Sequence, residues 1–147
     1  MASEAQPFIL LARMAEAALT EATAALADAG AEPDARESAH TQAVLALEKI
    51  SLLSRRYSAT REFRDRMAGH SIAPTPIAST PAFRAALESL AARVEYARDV
   101  LGTTAAGRIS KSLRTWQPDS ALDHVLTLGT QADGAARSLK RRRMVPV

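Results

Sequence analysis

Apolar residues recur every three or four positions along most of this chain, a spacing typical of amphipathic helices. The first helix is predicted over about residues 4–29, with a stripe of small and medium apolar side chains: Leu11, Ala15, Ala18, Ala22, Ala25 and Ala29. Gly30 suits the position after a helix, because glycine adopts the left-handed conformation at little cost. No alternating run is long enough for a strand, so the pattern predicts an all-α chain.

The second helix is predicted over about residues 33–69. Its inner stripe is formed by Ala43, Leu47, Ile50, Leu53 or Ser54, and Tyr57. Beyond Tyr57 the apolar pattern weakens, because Arg61 and Arg64 fall close to the stripe that a core would bury. Two structures are consistent with this change: the helix bends near residues 58–60, or it continues past the core and is exposed all round.

The third helix has the clearest start, with Thr80 as its N-cap and Pro81 at the first helical position. Its apolar positions follow a heptad-like spacing: Phe83, Leu87, Leu90, Val94, Ala97 and Leu101. Gly102 is predicted to end or kink this helix. A shorter basic amphipathic segment follows over residues 108–116, with Ile109, Leu113 and Trp116 on one face.

A fourth helix is predicted to begin at Asp119 or Ser120, and the chain closes with a basic tail over residues 140–147. Residues 69–81 contain three prolines and almost no charge, which predicts a long connecting loop. The chain is therefore interpreted as an all-α, four-helix-bundle-like single domain over residues 1–139. A long Pro-rich loop joins its second and third helices, and the basic C-terminal tail follows the domain.

Composition adds two constraints. Hydrophobic residues make up 47% of the chain and aromatic residues only 4%, and much of the apolar fraction is alanine, which predicts closely packed helices around a thin core. The absence of cysteine excludes disulfides, thiolate metal sites and cysteine nucleophiles. No apolar run approaches the roughly 20 residues of a membrane span, and the first residues do not have the pattern of a secretion signal. We therefore expect a soluble protein that is not secreted and is located in the cytoplasm or in a virion.

Charge is distributed unevenly along the chain. Residues 1–53 contain three Lys and Arg against eight Asp and Glu, whereas residues 54–147 contain sixteen against eight, so the net charges are −5 and +8. Three basic groups supply the candidate nucleic-acid-binding residues: Arg55, Arg56, Arg61, Arg64 and Arg66 in the second helix; Arg108, Lys111 and Arg114 after Gly102; and Lys140, Arg141, Arg142 and Arg143 in the tail. Such groups neutralise phosphates with release of counterions. Aromatic residues among them, Tyr57, Phe63 and Trp116, are candidates for stacking on bases.

Each basic group also has a purely structural interpretation. Cations at residues 140–143 stabilise the C-terminus of a helix. Glu62 and Asp65 are suitable helical partners for the arginines of the second helix. Trp116, as a lone tryptophan, is more often a core or interface anchor than a stacking platform.

No arrangement of residues indicates catalysis, a metal site or a cofactor. Gly102 and Gly107 have the spacing of a phosphate-binding P-loop, but Arg108 and Ile109 replace its Lys and its Ser or Thr, and no strand precedes it. The histidines are not spaced as metal ligands. A helical nuclease would have to use Arg64 with His70. We therefore expect a protein that is not an enzyme, with no catalytic or metal-ligating residues and no cofactor.

The preferred hypothesis is a non-catalytic structural protein that binds the backbone of RNA or DNA without sequence preference and self-assembles as a homo-oligomer. A capsid, nucleocapsid or packaging protein has these properties. The acidic first half is suited to contact the basic half of a neighbouring subunit head to tail, and such contacts build filaments when they do not close. The alternative is a helical protein–protein adaptor, such as a phage head–tail component, that docks an acidic partner. A helical nuclease is the least favoured class, and no membrane partner is expected.

Overall fold

The structure, a computed structural model, describes residues 5–29, 33–67, 77, 80–117, 120 and 122–144. These residues form six helices and no strand, which confirms the prediction of an all-α chain. The helices are α1 (Gln6–Ala29), α2 (Pro33–Met67), α3 (Pro81–Tyr96), α4 (Arg98–Leu101), α5 (Thr103–Arg114) and α6 (Leu122–Met144). Most of the predicted Pro-rich loop lies outside the described residues.

Many of the buried side chains of α1 and α2 are small. Ala15 of α1 and Ala43 of α2 are completely buried, and alanine lets two helices approach closely although it buries little apolar area. Helix α2 is continuous through residues 58–60, and no residue from there to its end at Met67 is buried except Ser58. Arg61 and Arg64 remain half-buried, so α2 continues past the core but is not exposed all round.

The predicted third helix is divided at Ala97, where the backbone leaves the helical conformation before the single turn of α4. Gly102 follows with a φ of 93°, a conformation that residues with a side chain rarely adopt. It is also the N-cap of α5. Gly102 therefore ends the helix as predicted, and the basic segment begins as a helix at Thr103, earlier than the pattern indicates.

Five of the six helices form a ring in the order α1, α2, α6, α5 and α3, and α4 contacts α1, α2, α3 and α5. Ion pairs from Arg55 to Asp133 and from Lys140 to Glu48 show that α2 and α6 are antiparallel. The sequence predicted four main helices and a short basic segment. That segment is α5, which is long enough to take its own place in the ring.

An aromatic cluster fills one end of the core. Phe8, Tyr57, Phe83 and Trp116 come from four different parts of the chain, with ring centroids 4.7–6.3 Å apart. Most of these pairs meet edge to face, the geometry that aromatic rings prefer. The side chain of Arg84 donates a hydrogen bond to the Trp116 carbonyl. The interpretation of Trp116 as a core anchor is therefore confirmed.

Helix α6 continues to Met144, so residues 140–143 extend the helix and do not leave it. The side chains of Arg142 and Arg143 lie outside the part of the chain that the structure describes. The division of the chain into a bundle domain and a tail after residue 139 stays a prediction.

Candidate polyanion-binding surface

Helices α2 and α6 approach closely because small residues meet where they pack together. The Ser54 hydroxyl donates a hydrogen bond of 2.5 Å to the carbonyl oxygen of Val125. Gly129 lies beside it, and a Cβ atom at this position would be 2.9 Å from Ser54 Oγ. This contact sets the register of α2 on α6 and therefore the placement of the charged residues on their outer faces.

An open groove of about 520 Å³ lies between α2 and α6 next to this contact. We call it the α2–α6 groove, and it is lined by Glu48, Lys49, Ser51, Leu52, Arg55, Asp133, Ala136, Arg137 and Lys140. Four of these side chains are cations and two are carboxylates, so the groove has a net charge of +2.

Carboxylates lie opposite two of the four cations. Arg55 pairs with Asp133 across the groove, and Lys140 Nζ lies 3.7 Å from Glu48 Oε1. These side chains are substantially exposed, and exposed ion pairs contribute only about 0–1 kcal/mol each. Lys49 and Arg137 form no ion pair with any residue that the structure describes.

A second groove, of about 570 Å³, lies between the start of α5 and the C-terminal half of α6. We call it the α5–α6 groove. Hydroxyl side chains line it, and it contains two guanidinium groups, from Arg108 and Arg137. Arg137 lines both grooves. The cations of α2, α5 and α6 therefore form one continuous surface, called here the basic surface, that consists of Lys49, Arg55, Arg108, Arg137 and Lys140.

Three of the predicted binding residues lie on the basic surface: Arg55, Arg108 and Lys140. Each comes from a different helix and from a different basic group of the sequence. Arg141 is exposed and follows Lys140 on α6. The packing of the helices thus joins parts of all three basic groups.

Two predicted binding residues instead hold parts of the fold together. Arg61 donates a hydrogen bond to the carbonyl oxygen of Ser120. Arg114 forms an ion pair of 3.1 Å with Glu95 of α3. The other described candidates line neither groove: Arg56, Arg66 and Lys111, which are exposed, and Arg64, which is half-buried.

The structure contradicts a stacking role for two of the three aromatic candidates. Tyr57 is 4% exposed and Trp116 is 1% exposed, because both belong to the aromatic cluster of the core. A base therefore has no access to either ring. Phe63 is 60% exposed, on the part of α2 that extends past the core.

Lys49 and Arg137 are binding candidates that the sequence analysis did not identify, because both are single cations outside the arginine-rich groups. For Arg137 a local signal exists, since it precedes Lys140 by three residues and such residues share a helix face. Lys49 lies in the acidic first half of the chain. Only the packing of α2 against α6 brings it near the basic residues of the C-terminal part.

One carboxyl group outside the basic surface has a shifted pKa. Hydrogen bonds from Ser110 and Arg114 lower the pKa of Glu95. Among the described residues, no group of three or more His, Asp and Glu is placed to hold a metal ion. His70, which the nuclease hypothesis requires, lies outside the described residues. In the described part of the chain, no helix has the length and apolar character that crossing a membrane requires.

No protein-family model, curated protein or solved structure matches the chain. The basic surface is therefore the feature from which a function is inferred.

Proposed function

We propose that the protein is a non-catalytic nucleic-acid-binding protein that holds the phosphate backbone of RNA or DNA on the basic surface and self-assembles, as a coat or packaging protein does. The observation that carries this proposal is the position of Arg137. It lines both grooves and so joins the cations of three helices into one surface. A continuous surface suits a linear polyanion better than isolated cations do.

The charge balance of the basic surface favours phosphate binding. Its five cations are opposed by two carboxylates, Glu48 and Asp133, which leaves a net charge of +3. Each phosphate that is neutralised releases counterions. A plot of log affinity against log salt concentration therefore has a slope of about −0.7 to −0.9 for each phosphate contact. A phosphate that replaces Asp133 on Arg55, or Glu48 on Lys140, disrupts only an exposed ion pair worth about 0–1 kcal/mol.

The cations of the basic surface support binding without sequence preference. Base stacking by Tyr57 or Trp116 is excluded by their place in the core. The basic surface consists of long flexible cations on helix faces, and such side chains contact phosphates more readily than base edges. We therefore expect similar affinities for oligonucleotides of different sequence.

Exposed apolar side chains support self-association. Leu10 and Met14 of α1, and Phe63 and Met67 of α2, are two exposed pairs at a spacing of four residues, so each pair lies on one helix face. A neighbouring copy that covers such a pair removes apolar area from water. Leu10→Asp should shift the protein towards the monomer in sedimentation velocity. An unchanged distribution of species would count against a role for the α1 pair in assembly.

The binding proposal is tested by charge reversal at the residue that both grooves share. Arg137→Glu should weaken binding of a single-stranded oligonucleotide by about tenfold or more in fluorescence anisotropy, which corresponds to at least about 1.4 kcal/mol. Arg98→Glu is the matched control, because Arg98 is exposed on α4 and lines neither groove. Equal losses in the two variants would show that binding is diffuse and does not use the basic surface.

The adaptor hypothesis is favoured by one observation, namely that Arg55 already binds a carboxylate, that of Asp133. An acidic protein presents the same group. This second candidate function predicts that the protein purifies without bound nucleic acid. Absorbance at 260 nm that is retained through purification and lost at high salt would contradict it.

A further inference from the structure

Ser51 is a buried polar residue in the α2–α6 groove. The residue is 3% exposed, and its hydroxyl oxygen has no hydrogen-bond partner among the described residues. It also lines the groove. A buried hydroxyl without a partner is costly, and such a group in a folded protein needs an explanation. A ligand in the groove that accepts a hydrogen bond from the Ser51 hydroxyl would provide one.

The charges around Ser51 indicate what kind of ligand this is. Lys49 and Arg137 line the same groove and form no ion pair with described residues. Arg55 and Lys140 have carboxylate partners in exposed, weakly held pairs. Every one of these groups, together with the Ser51 hydroxyl, can donate a hydrogen bond. An anion with several acceptor oxygens fits these donors.

We propose that the α2–α6 groove is a subsite for a single phosphate group, with Ser51 as its buried hydroxyl donor and Lys49 and Arg137 as its cations. A phosphate has enough oxygens for all three donors. The net charge of +2 matches a dianionic phosphate, which has a charge of about −1.5 to −2 at neutral pH, better than a singly charged backbone phosphodiester. This inference rests on the proposed function, since it assigns a phosphate-end specificity to part of the basic surface.

Two sources supply a dianionic phosphate, namely the terminal phosphate of a nucleic acid and free inorganic phosphate. Both are tested by anisotropy with 5′-phosphorylated and 5′-hydroxyl oligonucleotides of identical sequence, and by calorimetry with inorganic phosphate. The 5′-phosphorylated oligonucleotide should bind about tenfold more tightly, as expected for hydrogen bonds to a charged group. If only inorganic phosphate binds, the subsite is supported and its source is the free ion.

Ser51→Ala should reduce the affinity for inorganic phosphate about tenfold and remove the preference for the phosphorylated end. The matched control is Ser58→Ala. Ser58 is a buried serine of the same helix whose hydroxyl likewise has no described partner, but it does not line the groove. Lys49→Gln tests the same subsite with a side chain that is not part of the core, and it should give a comparable loss.

The outcomes separate this inference from the proposed function. Two outcomes would overturn the subsite and leave the function standing. In the first, the 5′-hydroxyl oligonucleotide binds but phosphate does not. In the second, wild type, Ser51→Ala and Lys49→Gln bind phosphate with equal affinity. Phosphate binding that Ser51→Ala weakens, without binding of a 5′-hydroxyl oligonucleotide, would support the subsite and contradict backbone binding. Absence of both kinds of binding would overturn both proposals.

Discussion

Gly129 and Ser54 lie so close together that a Cβ atom at Gly129 would be 2.9 Å from Ser54 Oγ. The hydroxyl has little freedom to move away, because it donates a hydrogen bond to the Val125 carbonyl. The two residues therefore set the distance between α2 and α6. The positions of Arg55 and Arg137 relative to each other depend on this distance.

Gly129→Ala should destabilise the protein by about 1–3 kcal/mol, the usual range for overpacking of a well-packed site. Chemical denaturation measures the change. Gly134→Ala in the same helix is the control, because a Cβ atom there meets nothing within 4 Å. It should be neutral or stabilising by up to about 1 kcal/mol, since alanine is the better helix former. Equal effects of the two substitutions would contradict the close contact.

Trp116→Ala should destabilise the protein by about 3–5 kcal/mol, the range for loss of a buried aromatic side chain. Trp116 contacts the rings of Tyr57 and Phe83 and is almost completely buried. Tyr96→Ala is the comparison, because Tyr96 is an exposed aromatic residue. Among the described residues, its ring stacks with no other ring and contacts only the guanidinium of Arg93. Thermal unfolding of Trp116→Ala at the wild-type temperature would contradict the aromatic core.

Replacement of Arg141, Arg142 and Arg143 by Ala should weaken binding to nucleic acid. It should also reduce the slope of log affinity against log salt concentration by the equivalent of about three phosphate contacts. Anisotropy titrations over a range of salt concentrations give the slope. Replacement of Lys49, Arg108 and Arg137 by Ala should reduce the salt slope by a similar amount. An unchanged slope in the first variant would exclude the end of α6 from the binding site, and an unchanged slope in the second would exclude the basic surface.

Glu95 should make stability depend on pH. The hydrogen bond from Ser110 is the largest cause that lowers the pKa of its carboxyl group below the usual 4.5, and the hydrogen bond from Arg114 lowers it further. Folding therefore favours the ionised form of Glu95. The stabilisation that this carboxylate contributes is fully present above its unfolded-state pKa. It is lost as pH falls through the lower folded-state pKa.

The variant Glu95→Gln removes this carboxylate. Its Tm should lie below that of the wild type at neutral pH, and the difference should shrink as pH falls below about 4.5. Glu88→Gln, at an exposed carboxyl group on the same helix, should show no such convergence. A Tm difference for Glu95→Gln that is independent of pH would contradict the role of its charge.

Much of the helical structure is predictable from the sequence because it depends on local signals. The spacing of apolar residues identifies α1, α2, α3 and α6, and Thr80, Pro81 and Gly102 mark boundaries that the structure confirms. The break at Ala97 has no comparable signal, since Ala97 continues the apolar stripe and is buried. The helical conformation of residues 140–143 has no such signal either, because an exposed basic helix end has no apolar stripe to identify it.

The candidate site is predictable only in part. Local charge density identifies Arg55, Arg108 and Lys140, but it equally selects Arg61 and Arg114, whose guanidinium groups hold other parts of the fold. No local pattern separates these two classes. The difference depends on which side chains the packing of the helices places along the two grooves.

The sequence by itself determined that the chain is helical, where several of its helices begin, and that its positive charge lies mainly in the last two thirds, because these properties depend on neighbours within a few residues. The tertiary structure alone decided which cations share a surface. Small residues such as Ser54 and Gly129 let α2 and α6 pack closely, and α5 packs on the other side of α6. This packing joins Lys49, Arg55, Arg108, Arg137 and Lys140, since contacts between residues distant in sequence are set by the shapes of whole helix faces and not by local spacing.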